Sequence, residues 1–255
     1  MRLHFREYGR GEPLVILHGL FGSLDNWHFI STRLSEQFRV FALDLRNHGH
    51  SPHDDAMNYS AMSEDLLEFL REHSLPEANI MGHSLGGKVA MQFALSNPAL
   101  VRKLIVADMA PRAYAPAHEA IFNALLALDL KPFQTRQQFD DALAPAIPDF
   151  AVRRFLLKSL SRDANGNFRW KFNLAALHKN YPKLNAALEL ERPFEKPALF
   201  IRGEKSNYIR DEDCVLIREF FPRARVETIS GASHWLHAEA PEIFLGIVKN
   251  FLSAN

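Results

Sequence analysis

The chain has 255 residues, 47% of them hydrophobic, and its 30 basic and 30 acidic side chains cancel. That is enough for one large α/β domain or two small ones, with a core that needs neither disulfides nor metal. A neutral chain argues against nucleic acid and against an anionic membrane surface as partners.

In chain order, Leu3 to Tyr8 alternates and predicts an edge strand, closed by Gly9-Arg10-Gly11. Leu14-Val15-Ile16-Leu17 is continuously apolar and predicts a strand buried on both faces. It runs into His18-Gly19-Leu20-Phe21-Gly22-Ser23, and a helix carrying Trp27, Ile30 and Leu34 follows. Val40-Phe41-Ala42-Leu43 is the next buried strand, ending in the loop from Asp44 to Pro52. Ser60 is expected to cap a helix with Met62, Leu66, Phe69 and Leu70 on one face. Ala78-Asn79-Ile80-Met81 is a short strand, followed by Gly82-His83-Ser84-Leu85-Gly86-Gly87 and a helical pattern over 88–95. Lys103-Leu104-Ile105-Val106-Ala107 is another strand, ending at Asp108.

From Pro111 to Arg192 the strand patterns stop and amphipathic helical stretches take over, at 117–128, 134–144, 151–161 and 174–189. Between them lie a turn at 163–167 and the aromatic, basic stretch Phe168-Arg169-Trp170-Lys171-Phe172. Sheet logic resumes with Ala198-Leu199-Phe200-Ile201, ending at Gly203. After a helix around 215–220, Arg225-Val226-Glu227-Thr228-Ile229 is the last strand. It leads into Gly231-Ala232-Ser233-His234, and 241–252 forms the closing helix.

Strands alternating with helices predict a mostly parallel sheet flanked by helices on both faces. Residues 1–110 and 193–255 are expected to form this α/β core, and 111–192 a helical cap inserted after the strand that ends at Asp108. Sites in such sheets collect at the carboxyl ends of the strands. Ser84, Asp108 and the loop at His18 all fall there.

A serine between strand and helix, flanked by Gly82 and Gly86, sits on a strained turn that presents its Oγ. A hydroxyl is a poor nucleophile unless a base takes its proton and a third group holds that base. His234 is the best base among twelve histidines, since it follows the last strand in a Gly/Ser loop. A neighbouring carboxylate is expected to raise it above its ordinary value of about 6.5. His237 is the runner-up and reads as a partly exposed helix residue. His83 is expected to point off the turn, and His48 and His50 to be structural hydrogen-bonders. The oxyanion needs two backbone N–H groups, assigned to Leu85 and Leu20. No His/Cys/carboxylate cluster has metal-ligand spacing.

His18-Gly19 before a helix, Asp44-x-Arg46-x-x-Gly49-x-Ser51, Gly82-His83-Ser84-Leu85-Gly86-Gly87 and Gly231-Ala232-Ser233-His234 together resemble the α/β-hydrolase superfamily. The resemblance covers nearly the whole chain, with the cap least specified. Asp108-Met109-Ala110-Pro111, Arg169 to Leu174, Gly203-x-x-Ser206-x-Tyr208 and His234 to Glu239 resemble the YbfF-type bacterial esterases and their mitochondrial relatives. That resemblance implies hydrolysis of carboxylic esters and acyl thioesters without a cofactor. In the superfamily the acid usually stands in a Gly-x-x-Asp pattern after the strand that here ends at Ile201, but this chain has Gly203-Glu204-Lys205-Ser206. Serine cannot carry the charge, so Asp108 is the expected acid, in competition with Glu204, Asp211 and Asp213. In YbfF-type enzymes the matching Asp and Ser both assist the histidine, which implies roles for Asp108 and Ser206.

The expectation is therefore a serine hydrolase with a Ser84-His234-Asp108 triad, acting on a small ester or thioester, acyl-CoA among them. C–C bond hydrolysis and acyl transfer are alternatives on the same scaffold. A non-catalytic ligand receptor is the alternative from another class, disfavoured by the presence of both Ser84 and His234. Trp170 and Trp235 are candidates for substrate contact. Arg153, Arg154, Arg169 and Lys171 are either a solvated helix face or an attractor for an anionic group. The lone Cys214, no apolar signal core in the first residues and no apolar run of membrane-spanning length point to a cytoplasmic protein. A monomer is the default.

Overall fold

The computed structural model describes residues 1–189 and 191–254. In chain order the strands are β1 (Phe5–Tyr8), β2 (Glu12–Leu17), β3 (Phe38–Leu43), β4 (Ala78–His83), β5 (Val101–Ala107), β6 (Leu160–Arg162), β7 (Phe168–Trp170), β8 (Ala198–Gly203) and β9 (Ala224–Ile229). Seven of them form one sheet in the order β1-β3-β2-β4-β5-β8-β9. Only β1 is antiparallel within it, pairing Phe5 with Leu43 at the edge; the other pairings are parallel. The central strands are continuous apolar runs because both of their faces are covered. Along β2, Val15 and Leu17 enter one hydrophobic cluster and Leu14 and Ile16 the other, as the two-residue period requires.

Helices α1 (His28–Leu34), α2 (Tyr59–Glu72) and α3 (Leu85–Ser96) follow β2, β3 and β4. Met62, Leu66 and Phe69 of α2 pack with Val89 and Phe93 of α3 on one face of the sheet. Trp27, Ile30 and Leu34 cover the other face with Phe244 and Val248. The cap of α2 is Asn58, not Ser60 as expected. The Asn58 side chain accepts from the Ala61 N–H at 2.8 Å, while Ser60 already lies inside the first turn.

Among the described residues, the 111–192 segment adds no strand to the main sheet. It holds α4 (Glu119–Ala127), α5 (Arg136–Leu143), α6 (Phe150–Leu157) and α7 (Leu174–Asn185). It also holds a short antiparallel hairpin of β6 and β7 that the helical reading missed. Three-residue strands are too short to show a period, and the expected helix over 151–161 stops at Leu157. The segment is tied by side chains to the loop after β2 and to helices α2 and α3. Ser159 Oγ donates to the Phe21 carbonyl at 2.7 Å and the Tyr59 hydroxyl donates to the Leu184 carbonyl. Fully buried Lys88 donates to the carbonyl of Ala186, just beyond α7. After β8 come α8 (Asp213–Phe220), β9, α9 (Leu236–Glu239) and α10 (Pro241–Ser253). Among the described residues no helix is long and apolar enough to cross a membrane.

Candidate active site

Ser84 joins β4 to α3 with φ 54° and ψ −119°, a conformation that costs a non-glycine residue roughly 1–3 kcal/mol. The surrounding contacts impose it. A Cβ on Gly82 would stand 2.1 Å from the Gly86 carbonyl oxygen, and one on Gly86 would stand 2.4 Å from that of Leu17. Only glycine at both positions lets strand and helix close this tightly. Leu85 is the first residue of α3, so its N–H has no partner inside the helix. Leu85 and Leu20 both line the cavity that Ser84 faces.

Asp108 directly follows β5 with φ 52° and is fully buried. A carboxylate so placed must be hydrogen-bonded, and it is. Oδ2 accepts from His234 Nδ1 at 2.7 Å and from the Ser206 hydroxyl, and Oδ1 from the Gly203 N–H at 3.4 Å. With Nδ1 donating, the other ring nitrogen of His234 is left as an acceptor. Burial pushes the Asp108 carboxyl up to about 7, against the Ser206 and Gly203 donors. Burial also lowers the His234 imidazole to about 3, the reverse of the expected rise. A desolvated carboxylate is the costly state, so burial makes Asp108 hold a proton more tightly than in water, and the same burial disfavours the imidazolium form of His234.

The other carboxylates are engaged elsewhere. Glu204 accepts from Ser230 Oγ at 2.9 Å and Gly231 N at 2.7 Å, stapling the turn after β9. Asp211 pairs with Arg202 at 2.7 Å and Asp213 with Arg112 at 2.9 Å.

Several side chains differ from their sequence reading. His83 does not simply point off the turn; its Nε2 donates to the His234 carbonyl at 2.9 Å and so fixes that loop. His237 is buried rather than partly exposed, stacked on Trp27 at 4.3 Å. Neither Trp170 nor Trp235 is among the residues lining the cavity with Ser84. Trp170 stacks on Phe172 and Trp235 packs against Phe155 of α6. Tyr59, Tyr114, Tyr181 and Tyr208 line it instead, in a volume of about 400 Å³. The Tyr208 ring lies on the His234 imidazole at 3.9 Å and 19°. The spacing Gly203-x-x-Ser206-x-Tyr208 was the available sequence signal for it.

Arg153, Arg154, Arg169 and Lys171 also lie outside the lining. Arg153 is bound by Asp140 at 2.8 Å and by two carbonyls, and Lys171 pairs with Asp25 at 3.1 Å. Among the described residues no group of three or more His, Cys, Asp or Glu could hold a metal ion.

A family model described as alpha/beta hydrolase fold matches residues 12–241. Esterase YbfF of Escherichia coli (strain K12) is 37% identical over 243 residues, covering 95% of this chain and 93% of that protein. The sn-1-specific diacylglycerol lipase ABHD11 of Xenopus laevis is 38% identical over 252 residues, covering 96% of this chain and 80% of its own. Among solved structures, a marine microorganism esterase superposes with a TM-score of 0.96 at 44% identity, covering 98% of this chain and 99% of that one. With a mostly parallel seven-stranded sheet, a strand–turn–helix at Ser84 and these relatives, the chain belongs to the α/β-hydrolase family, as a hydrolase of the esterase/lipase type.

Proposed function

We propose that this chain is a serine carboxylesterase that also accepts acyl thioesters, with residues 111–192 acting as a cap over the site. The observation that carries the reading is the 2.7 Å bond from His234 Nδ1 to buried Asp108, with His234 and Ser84 on one cavity. His234 takes the Ser84 proton as Oγ attacks the ester carbonyl. The N–H groups of Leu20 and Leu85 receive the developing oxyanion. His234 then protonates the leaving alcohol or thiol, and water repeats the sequence to release the acid. Ser206 donates to Asp108 and steadies its charge. The unpaired Cys214 suits the cytoplasm, where we place the enzyme as a monomer acting without a cofactor. A fluorophosphonate probe should label the wild-type chain at Ser84. Turnover over esters and thioesters of graded acyl length then sets the preference. A chain that neither labels nor cleaves any of them would sink the reading.

The pH profile follows from the Asp108–His234 pair. The productive form has Asp108 charged and His234 neutral, so the pair must give up its retained proton. For an acid raised to about 7, that form is lost as pH falls below the value and complete above it. Measured as kcat/KM, activity should therefore rise through about pH 7 and level off above about 8. A profile flat from about pH 5 to 9, with acylation limiting, would remove the pair from the mechanism.

Three cations border the cavity: Arg112, Lys205 and Arg210. Arg112 is neutralised by Asp213 and Arg210 by Glu212, at 2.9 and 3.0 Å. Added salt should then change acyl-CoA and neutral-ester turnover to within about twofold of each other, as expected where no unpaired cation cluster reads the phosphates. A selective loss of acyl-CoA turnover of about tenfold, equivalent to ~1.4 kcal/mol, would reveal an anion site that this reading lacks.

A further inference from the structure

The segment after β5 brings a second imidazole to the cavity. His118 precedes α4 and lines the same space as Ser84 and His234. Its ring meets Phe21, beside Leu20, edge-on at 6.3 Å, and Tyr181 of α7 at 5.8 Å and 82°. The Tyr181 hydroxyl oxygen accepts the His118 backbone N–H at 2.9 Å and lies 2.7 Å from His118 Nδ1. The phenol oxygen already accepts the backbone N–H, so we assign its own proton to the short contact with Nδ1. The ring proton of neutral His118 then sits on Nε2, and burial keeps the ring neutral. Nε2 has no hydrogen-bond partner among the described residues, yet it is not sealed off like the orphaned Nε2 of His48 or Nδ1 of His237. His118 therefore brings a fixed N–H to the cavity that Ser84 and His234 share, where the ester must stand.

Resting on the serine-hydrolase reading above, we propose that His118 is a further catalytic residue, whose Nε2–H donates a hydrogen bond to the departing oxygen of the ester. In the tetrahedral adduct the bond from carbon to the leaving oxygen breaks and its electron pair moves onto that oxygen. The proton that His234 took from Ser84 passes to the same oxygen. His118 stabilises the charge there during the transfer and keeps its own proton. Tyr181 is a positioning residue, since it holds the tautomer.

The test compares kcat/KM for butyrate esters of p-nitrophenol, phenol, trifluoroethanol and ethanol, which share one acyl group. A nitrophenolate leaves readily, whereas an ethoxide needs help. His118→Phe should reduce turnover of every ester, with a loss on the order of tenfold or more greater for the ethyl than for the p-nitrophenyl ester. His118→Gln, which keeps a donor near the Nε2 position, should recover most of that difference. Tyr181→Phe should show the same trend with a smaller amplitude, and it serves if His118→Phe does not fold by circular dichroism. A loss equal across the four alcohols, or one that follows acyl length and not leaving group, overturns the proposal. If wild-type Ser84 neither labels nor turns over any ester, the hydrolase reading itself fails and the proposal falls with it. Labelling with an unchanged leaving-group ratio refutes His118 alone.

Discussion

Ser84→Ala should lower esterase turnover by roughly 10⁵–10⁶-fold while leaving the fold intact, because the members of a triad act as a unit. The alanine keeps the Cβ, so the backbone at φ 54° is as strained as before and the turn is unchanged. The backbone bonds that hold the turn also survive: Ser84 N–H to the Ala107 carbonyl at 3.1 Å, and Lys88 N–H to the Ser84 carbonyl at 3.1 Å. What disappears is the oxygen that would carry the acyl group. Turnover of a p-nitrophenyl ester, with circular dichroism as the control, measures the effect. Retention of more than about a tenth of wild-type turnover, far above known triad knockouts, would mean that another group is the nucleophile.

Asp108→Asn should cost up to ~10⁴-fold in turnover, the loss seen when an orienting aspartate elsewhere becomes an amide. The cause is the direction of one hydrogen bond. Asp108 Oδ2 accepts from His234 Nδ1 at 2.7 Å and from Ser206. If the amide nitrogen of asparagine faces Nδ1, it donates there and moves the ring proton to Nε2. His234 can then no longer accept the serine proton. Ser206→Ala removes one neutral donor to a charged group and should cost about 10- to 100-fold, the free energy of one such bond. Glu204→Gln should stay within about twofold, as expected for a surface position, since the Glu204 side chain binds the turn at Ser230 and Gly231. Parallel turnover assays of the three folded variants decide between the two carboxylates. Near-normal Asp108→Asn beside a collapsed Glu204→Gln would transfer the acid to the loop after β8.

Much of this architecture was legible in the sequence, for reasons that are local. Leu14 to Leu17, Val40 to Leu43 and Ile105 to Ala107 are apolar without alternation, and only a strand covered on both faces needs that. The glycines around Ser84 announced their turn because the clash that excludes a Cβ lies within five residues on one side. Asp108 could be singled out because a charge at the end of a buried strand requires a partner. The smaller errors were local as well. Asn58 and Ser60 are both good caps, and only the chain path shows which one has the extended backbone.

What remained hidden concerns groups that meet across long separations. Asp108 meets His234 over 126 residues and Ser206 over 98. The pattern of residues supplied candidates for these contacts but no distances. Burial of the whole cluster reversed the expected direction of the His234 shift, because desolvation depends on every element packed around the ring. The cavity lining went from tryptophans to tyrosines for the same reason. Trp170 and Trp235 found partners in Phe172 and Phe155, while Tyr208 was laid on the imidazole. A periodic pattern tells which side of an element is buried. Which element covers that side, and which way a donor there points, is set by packing between segments far apart in the chain, and only the tertiary structure decides it.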